Sequence, residues 1–251
     1  MNVVYGPFDS WRLGHSIGID PICMEPKVCT CNCIYCLLGD RGIRTACRCE
    51  FVRAESVRAQ LRSLMRKGVE ANTITFSGTG EPTLSSNLGD LIEAARSVTS
   101  IPVGILTNSS LLDNPDVRRT LAALDRIVAK LDAAEEDLFR RTNRPHESIK
   151  LESMLAGLRK MREEFCGEFC LQIMLVKENV RGVRSLVDAC ESIDPDIIYL
   201  DTPLRPCAVE PLGRSEMAGI HRRFAHLNAR SVYDAHGKGG QRRKVTRKLA
   251  R

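Results

Sequence analysis

The sequence predicts an α/β protein with a parallel sheet, on three observations. Short apolar or β-branched runs recur along the chain, amphipathic helical stripes separate them, and a polar or glycine-rich segment directly follows most of the runs. Strands alternating with helices in this way mean βαβ units. Taken in order, the strands are Ser16–Ile19, Thr73–Phe76, Val103–Leu106, Ile127–Leu131, Leu171–Val176 and Ile197–Leu200. Helical spacing joins Val57, Leu61, Leu64 and Met65, then Leu88, Leu91, Ile92 and Ala95. Pro115, after Asn114, opens a third helix through Val117, Leu121 and Leu124. Leu151, Met154, Leu155, Leu158 and Met161 make a fourth stripe, and Val180, Val183, Val187 and Cys190 a fifth. Six units are too few for a closed eight-stranded barrel, which leaves a doubly wound sheet or an incomplete barrel. In both, ligands gather at the carboxyl ends of the strands.

Composition narrows the class. The 251 residues are 43% apolar and 27% charged, as in ordinary globular domains. No apolar run reaches membrane-spanning length, and the start MNVVYGPFDSWRLG lacks a secretory pattern, so a cytoplasmic protein without membrane contact is expected. The formal charge is +6, yet residues 237–251 carry seven Lys or Arg and no acid. One domain over 1–234 is expected, with a basic, flexible tail over 235–251.

Seven of the eleven cysteines fall between Cys23 and Cys49. Such crowding, with an odd total and no export signal, points to a metal or redox centre rather than disulfides. Cys29, Cys33 and Cys36 are close enough to take three corners of a [4Fe–4S] cluster, leaving one iron open to a small molecule. Cys33 and Cys36 with Cys47 and Cys49 would also satisfy a tetrahedral zinc site.

Cys29-x₃-Cys33-x₂-Cys36, with Tyr35 before the third cysteine, resembles the radical S-adenosylmethionine (radical SAM) signature. The surrounding sequence is similar to one branch of that superfamily, the Fe–S oxidoreductases related to archaeal wyosine tRNA-base synthases. The likeness is carried by Tyr5-Gly6-Pro7, Arg12-Leu13-Gly14-His15-Ser16, the stretch from Phe76 to Leu84, Lys130-Leu131-Asp132-Ala133, Asn143-Arg144-Pro145-His146 and Thr202-Pro203-Leu204-Arg205-Pro206. The resemblance implies a partial (βα)₆ TIM-like barrel, a cluster on Cys29, Cys33 and Cys36, and SAM chelating the open iron. It also implies one-electron cleavage of SAM to methionine and a 5′-deoxyadenosyl radical that abstracts hydrogen from substrate, with a flavodoxin- or ferredoxin-type electron donor.

The other strand ends supply candidate contacts. Gly78 and Gly80 permit close backbone approach to a ligand, and Glu81 can accept from an ammonium; by resemblance this segment holds the SAM amino group. The alternative is a glycine turn with Glu81 solvated. Asn108 and Ser109 offer groups for a ribose, or a turn and cap. Lys130 and Asp132 share one side of a strand end as a salt bridge or as a contact to SAM or substrate. Gln172 alternates with Met174, and Tyr199 with Asp201, so a lumen-facing register puts Gln172 near the adenosine. Arg140, Arg141 and Arg144 read as a solvated loop or as an anion site for substrate carboxylate or nucleic-acid phosphate. Cys23, Cys31, Cys47 and Cys49 are either an auxiliary cluster site or ordinary small thiols.

Three functions follow. The first is a radical SAM enzyme acting on a nucleic-acid base, with RNA, in particular tRNA, as partner. The second keeps the chemistry but takes a small metabolite or a peptide. The third is a non-catalytic, metal-stapled RNA-binding protein.

Overall fold

The computed structural model describes residues 2–235, so residues 236–251 of the expected basic tail lie outside the described residues. In chain order the strands are β1 (Val4–Ser10), β2 (Gly14–Ile19), β3 (Lys27–Cys29), β4 (Gly42–Arg44), β5 (Thr73–Phe76), β6 (Val103–Thr107), β7 (Arg126–Lys130), β8 (Glu168–Met174), β9 (Ile197–Asp201) and β10 (Ala229–Ser231). The helices are α1 (Ala54–Arg66), α2 (Leu88–Arg96), α3 (Pro115–Leu121), α4 (Glu136–Asn143), α5 (Leu151–Glu164), α6 (Val183–Ile193), α7 (Arg214–His221) and α8 (Val232–Ala235). One sheet runs β1-β2-β5-β6-β7-β8-β9-β10, with only the β1–β2 pair antiparallel, and β3 and β4 form a separate parallel ribbon.

All six expected strands are present in sequence order, and they build the partial barrel. Their side chains alternate between two cores. Ile17, Ile19, Ile74, Phe76, Ile127, Ala129, Phe169, Leu171 and Ile173 pack in the large layer that includes the helices' buried side chains. Leu13, Val128, Cys170, Ile197 and Tyr199 form a second, smaller cluster. These lie on the opposite face, in the lumen. A strand buried on both sides shows as an unbroken apolar run, which is why these elements are visible in the sequence. Asn114 caps α3 by accepting from Asp116 N at 2.8 Å, and Pro115 occupies the first turn as expected.

The turn of the β1–β2 hairpin closes the amino-terminal end of the lumen. Trp11 meets Tyr199 edge-on with ring centroids 5.3 Å apart, and Tyr199 donates to Arg12 O at 3.3 Å. Parallel register sets Lys130, Gln172 and Tyr199 level with one another, and Met174 level with Asp201. Strand β8 differs from expectation: it starts at Glu168 and ends at Met174. The segment around Arg140 and Arg141, read as a loop or anion site, is helix α4.

Candidate metal centre

The cysteine loop is built onto the sheet by backbone pairing. Val28 N donates to Thr79 O at 3.1 Å, and Glu81 N donates back to Val28 O at 3.2 Å. Gly80 is required by that pairing, because a Cβ there would stand 1.7 Å from Val28 O. A Cβ on Gly78 would stand 2.1 Å from Asp20 Cγ. The Asp20 carboxylate in turn accepts from Ile22 N, Cys23 N and Thr79 N at 3.0, 2.8 and 2.8 Å. The two glycines therefore accommodate the chain's own strand and carboxylate, where a ligand was expected.

Glu81 is not solvated. At 2% exposure, it accepts from Thr83 N, Thr83 Oγ1 and Thr107 Oγ1 at 3.1, 2.7 and 2.6 Å through one oxygen. Its other oxygen accepts from Asn108 N at 2.7 Å. Burial raises its pKa, and these donors oppose the rise. Through these bonds Glu81 latches the glycine segment to the end of β6. Asn108 and Ser109 are also engaged internally rather than offered to a ribose. Asn108 Nδ2 donates to Thr30 Oγ1 at 2.7 Å, and Ser109, fully buried at φ 69°, donates to Lys130 O at 2.8 Å.

On its other side the loop rests on the end of α4. Asn32 N donates to Asn143 O at 3.0 Å, Ile34 N to Thr142 O at 3.0 Å, and His146 N to Thr30 O at 2.7 Å. Arg140 donates to Glu136 Oε1 and Ile149 O, both at 2.7 Å, so it is not free for an anion. Arg141 and Arg144 are exposed, with no ion-pair partner among the described residues, and Arg144 takes the left-handed position that ends the helix. The arginine segment's backbone thus supports the cysteines.

Asp132 is the hub beneath the loop. Its side chain is fully buried and forms a 3.2 Å ion pair with Lys130. It accepts from Asn143 Nδ2 and Met174 N, each at 2.7 Å, and from the hydroxyl of Tyr35. Lys130 Nζ lies 4.9 Å from the Tyr35 ring centroid. Of the expected Lys130–Asp132 alternatives, the salt bridge is the one formed, and Asp132 has no surface left for a ligand. Sequence reasoning assigned no role to Asn143 or to the Tyr35 hydroxyl; the sole signal was their place in the quoted motifs.

Two of the three thiols meet amide donors. Asn108 Nδ2 is 3.5 Å from Cys29 Sγ, and Asn143 Nδ2 is 3.5 Å from Cys33 Sγ. Burial pushes the Cys29 thiol up to about 12, while a hydrogen bond from Cys31 lowers Cys33. Asn143 Oδ1 and Thr142 Oγ1 are buried without partners among the described residues. Three cysteine sulfurs, a soft donor set, with amide N–H groups aimed at two of them, fit an iron–sulfur cluster. Among the described residues no three His, Cys, Asp or Glu side chains converge on one point. Cys47 and Cys49 are exposed, Cys31 is buried, and Cys23 is half-buried.

Gln172 does face the lumen. Its Nε2 donates to Asp201 Oδ2 at 2.9 Å, where Arg12 Nη1 also donates at 2.8 Å. Arg12 Nε is buried without a partner among the described residues.

The family model for the radical SAM superfamily matches residues 26–190, a span that contains the cysteine loop and strands β3 to β8. The chain belongs to the radical SAM superfamily. A UPF0026 protein of Synechocystis sp. is 36% identical over 220 residues, covering 87% of this chain and 81% of the relative. Among solved structures, TYW1 with a lysine–pyruvate adduct bound aligns with TM-score 0.66 and 19% identity, over 86% of this chain and 76% of that one. Streptococcus suis SuiB bound to S-adenosylmethionine aligns with TM-score 0.63 and 16% identity, over 82% of this chain and 48% of that one. These radical SAM structures share its fold, the partial barrel. Among the described residues no helix is long and apolar enough to cross a membrane.

Proposed function

We propose that this radical SAM protein is an enzyme whose Cys29, Cys33 and Cys36 hold a [4Fe–4S] cluster, and that its substrate is a nucleic-acid base, with tRNA as the molecule bound. The observation that carries the first part is the clamped three-cysteine loop at the carboxyl ends of the strands, with amide donors 3.5 Å from two sulfurs. When bound, the cluster with SAM supplies reductive cleavage of SAM to methionine and a hydrogen-abstracting 5′-deoxyadenosyl radical. The chain's own residues do the rest. The backbone of Thr79 to Glu81 and the end of α4 fix the loop, Asp132 anchors Tyr35, and Lys130, Gln172 and Asp201 face the space where SAM and substrate would lie. The packed lumen floor of Leu13, Trp11 and Tyr199 keeps water and competing hydrogen donors from the far end. Glu81, Asn108, Ser109 and Asp132 act in this reading as supports of the loop.

The seven Lys and Arg of residues 237–251 and the sequence resemblance to wyosine tRNA-base synthases support an RNA substrate. Anaerobic reconstitution is expected to give a brown protein with about four irons per chain. With SAM and dithionite it should release 5′-deoxyadenosine, and the release should rise when unmodified tRNA is added. Release without any response to tRNA would turn the assignment to a small metabolite or peptide. A colourless protein that binds tRNA but never cleaves SAM would leave the non-catalytic reading standing.

A further inference from the structure

We propose that Arg12 makes the lumen of the barrel a binding site for an anionic ligand group, a carboxylate or phosphate that offers two oxygens to its guanidinium. That this group belongs to a substrate rests on the enzyme reading above; the site itself stands on its own geometry. Arg12 lies on the turn between β1 and β2, and its carbonyl accepts from Tyr199 at the closed end of the lumen. From there its side chain climbs to Asp201, the last residue of β9, where Nη1 donates to Oδ2 at 2.8 Å. Gln172 Nε2 donates to the same oxygen at 2.9 Å, and Thr202 N donates to the other at 2.9 Å. The carboxylate is thereby fixed, and it fixes the guanidinium in turn.

The guanidinium is left with donors to spare. Of its several N–H groups, only Nη1 meets an acceptor among the described residues. Nε is buried and meets none. The side chain is 15% exposed, and a charged donor this far from water costs free energy unless a bound group satisfies it. Trp11 covers one face, its ring centroid 5.6 Å from Arg12 Cζ. The planar edge of Nε and Nη2 is what remains for a ligand, and that fork matches the paired oxygens of a carboxylate or phosphate.

The surrounding charges favour an anion here. Lys130 pairs with Asp132, Arg126 with Glu168, and Arg12 with Asp201. Arg205, exposed on the loop after β9, has no ion-pair partner among the described residues, and Glu210, the acid of that loop, is exposed and does not pair with it. The buried acids Asp20 and Glu81 stand beside the cysteine loop, at the ends of β2 and β5, each bonded by backbone N–H groups. Burial lowers the Arg12 pKa, Asp201 opposes the fall, and the charge of Arg205 adds to it. Two guanidinium groups therefore act on each other with one carboxylate between the pair, and an anion held on the open fork relieves both.

The test reads the Arg12 Nε–H by heteronuclear NMR of the full-length chain with labelled arginine, the signal being assigned by its loss in Arg12→Lys. Acetate and inorganic phosphate are the probes, with chloride at equal ionic strength as control. A saturable shift with at least one oxyanion and none with chloride is expected, and the tighter of the two names the ligand class. Read at the Gln172 side-chain amide, Arg12→Lys should weaken that binding about tenfold or more, because an ammonium offers no fork. Arg12→Met/Asp201→Asn, which leaves no unpaired buried carboxylate, should abolish it with the fold retained. An Nε–H that responds to neither oxyanion, or equally to chloride, overturns the proposal and leaves Arg12 as a brace for the hairpin turn. A response that SAM alone removes from the reconstituted protein also overturns it, since the fork then belongs to the cofactor. A chain that takes up no cluster yet keeps the shift loses the radical reading and retains the anion site.

Discussion

Asn143 joins three functions in one amide. Its Nδ2 reaches Cys33 Sγ, the Tyr35 hydroxyl and Asp132, while its backbone carbonyl takes the N–H of Asn32. An N–H donor stabilises the more negative, reduced state of a sulfur-ligated cluster and so raises its potential. Removing one such bond, worth about 1 kcal/mol, should lower the midpoint by roughly 40 mV. Asn143→Leu is therefore expected to keep its iron but show that downward shift in an EPR-monitored titration, with Asn108→Leu following the same direction. Gly80 presents the steric counterpart. A methyl group 1.7 Å from Val28 O forces β3 away from the sheet. Gly80→Ala should cost about 1–3 kcal/mol in urea unfolding and reduce iron uptake, because the displaced strand carries Cys29. Either residue is readable in the sequence as part of a motif, but its partner is not. Glycine permits close approach without saying what approaches, and here it is another strand.

At the level of elements, the cysteine loop is held between the end of β5 on one side and α4 on the other, with β7 and β8 below. The strands that make the barrel were legible because each is buried on both faces: every residue of Thr73–Phe76 and of Ile197–Asp201 is buried. Helix α4 was not, because its eight residues turn only Leu138, Phe139, Thr142 and Asn143 inward while arginines and acids cover the rest. The three-residue strands β3, β4 and β10 are too short to show any period. Asp132 ties the elements of this grip together through Tyr35, Asn143, Met174 and Lys130. Asp132→Ala leaves those donors and the Lys130 ammonium without their buried carboxylate, at a cost of about 3 kcal/mol. Thermal unfolding of the cluster-free chain is the measurement. A loss well below that figure would mean the loop is held chiefly by its backbone bonds.

For the whole molecule, charge and fold divide the work. Outside residues 237–251 the chain holds 30 Lys or Arg against 31 Asp or Glu, so the barrel has no general attraction for a polyanion. Aromatic residues, at 5%, are also too few to suggest a broad base-stacking surface. If the substrate is carried on tRNA, most of the phosphate attraction must come from the seven bases of residues 237–251, and the barrel contributes selection rather than affinity. Each phosphate neutralised releases counterions, so affinity falls with salt in proportion to the cations engaged. Full engagement of seven cations would contribute a slope of roughly 5 in log Kd against log salt. Deleting residues 237–251 is expected to weaken tRNA binding and flatten that slope, while iron content and SAM cleavage by chemically reduced protein stay as before. Equal binding and an equal slope in the shortened chain would shift the attraction back to the barrel and remove the basic segment from the case for RNA.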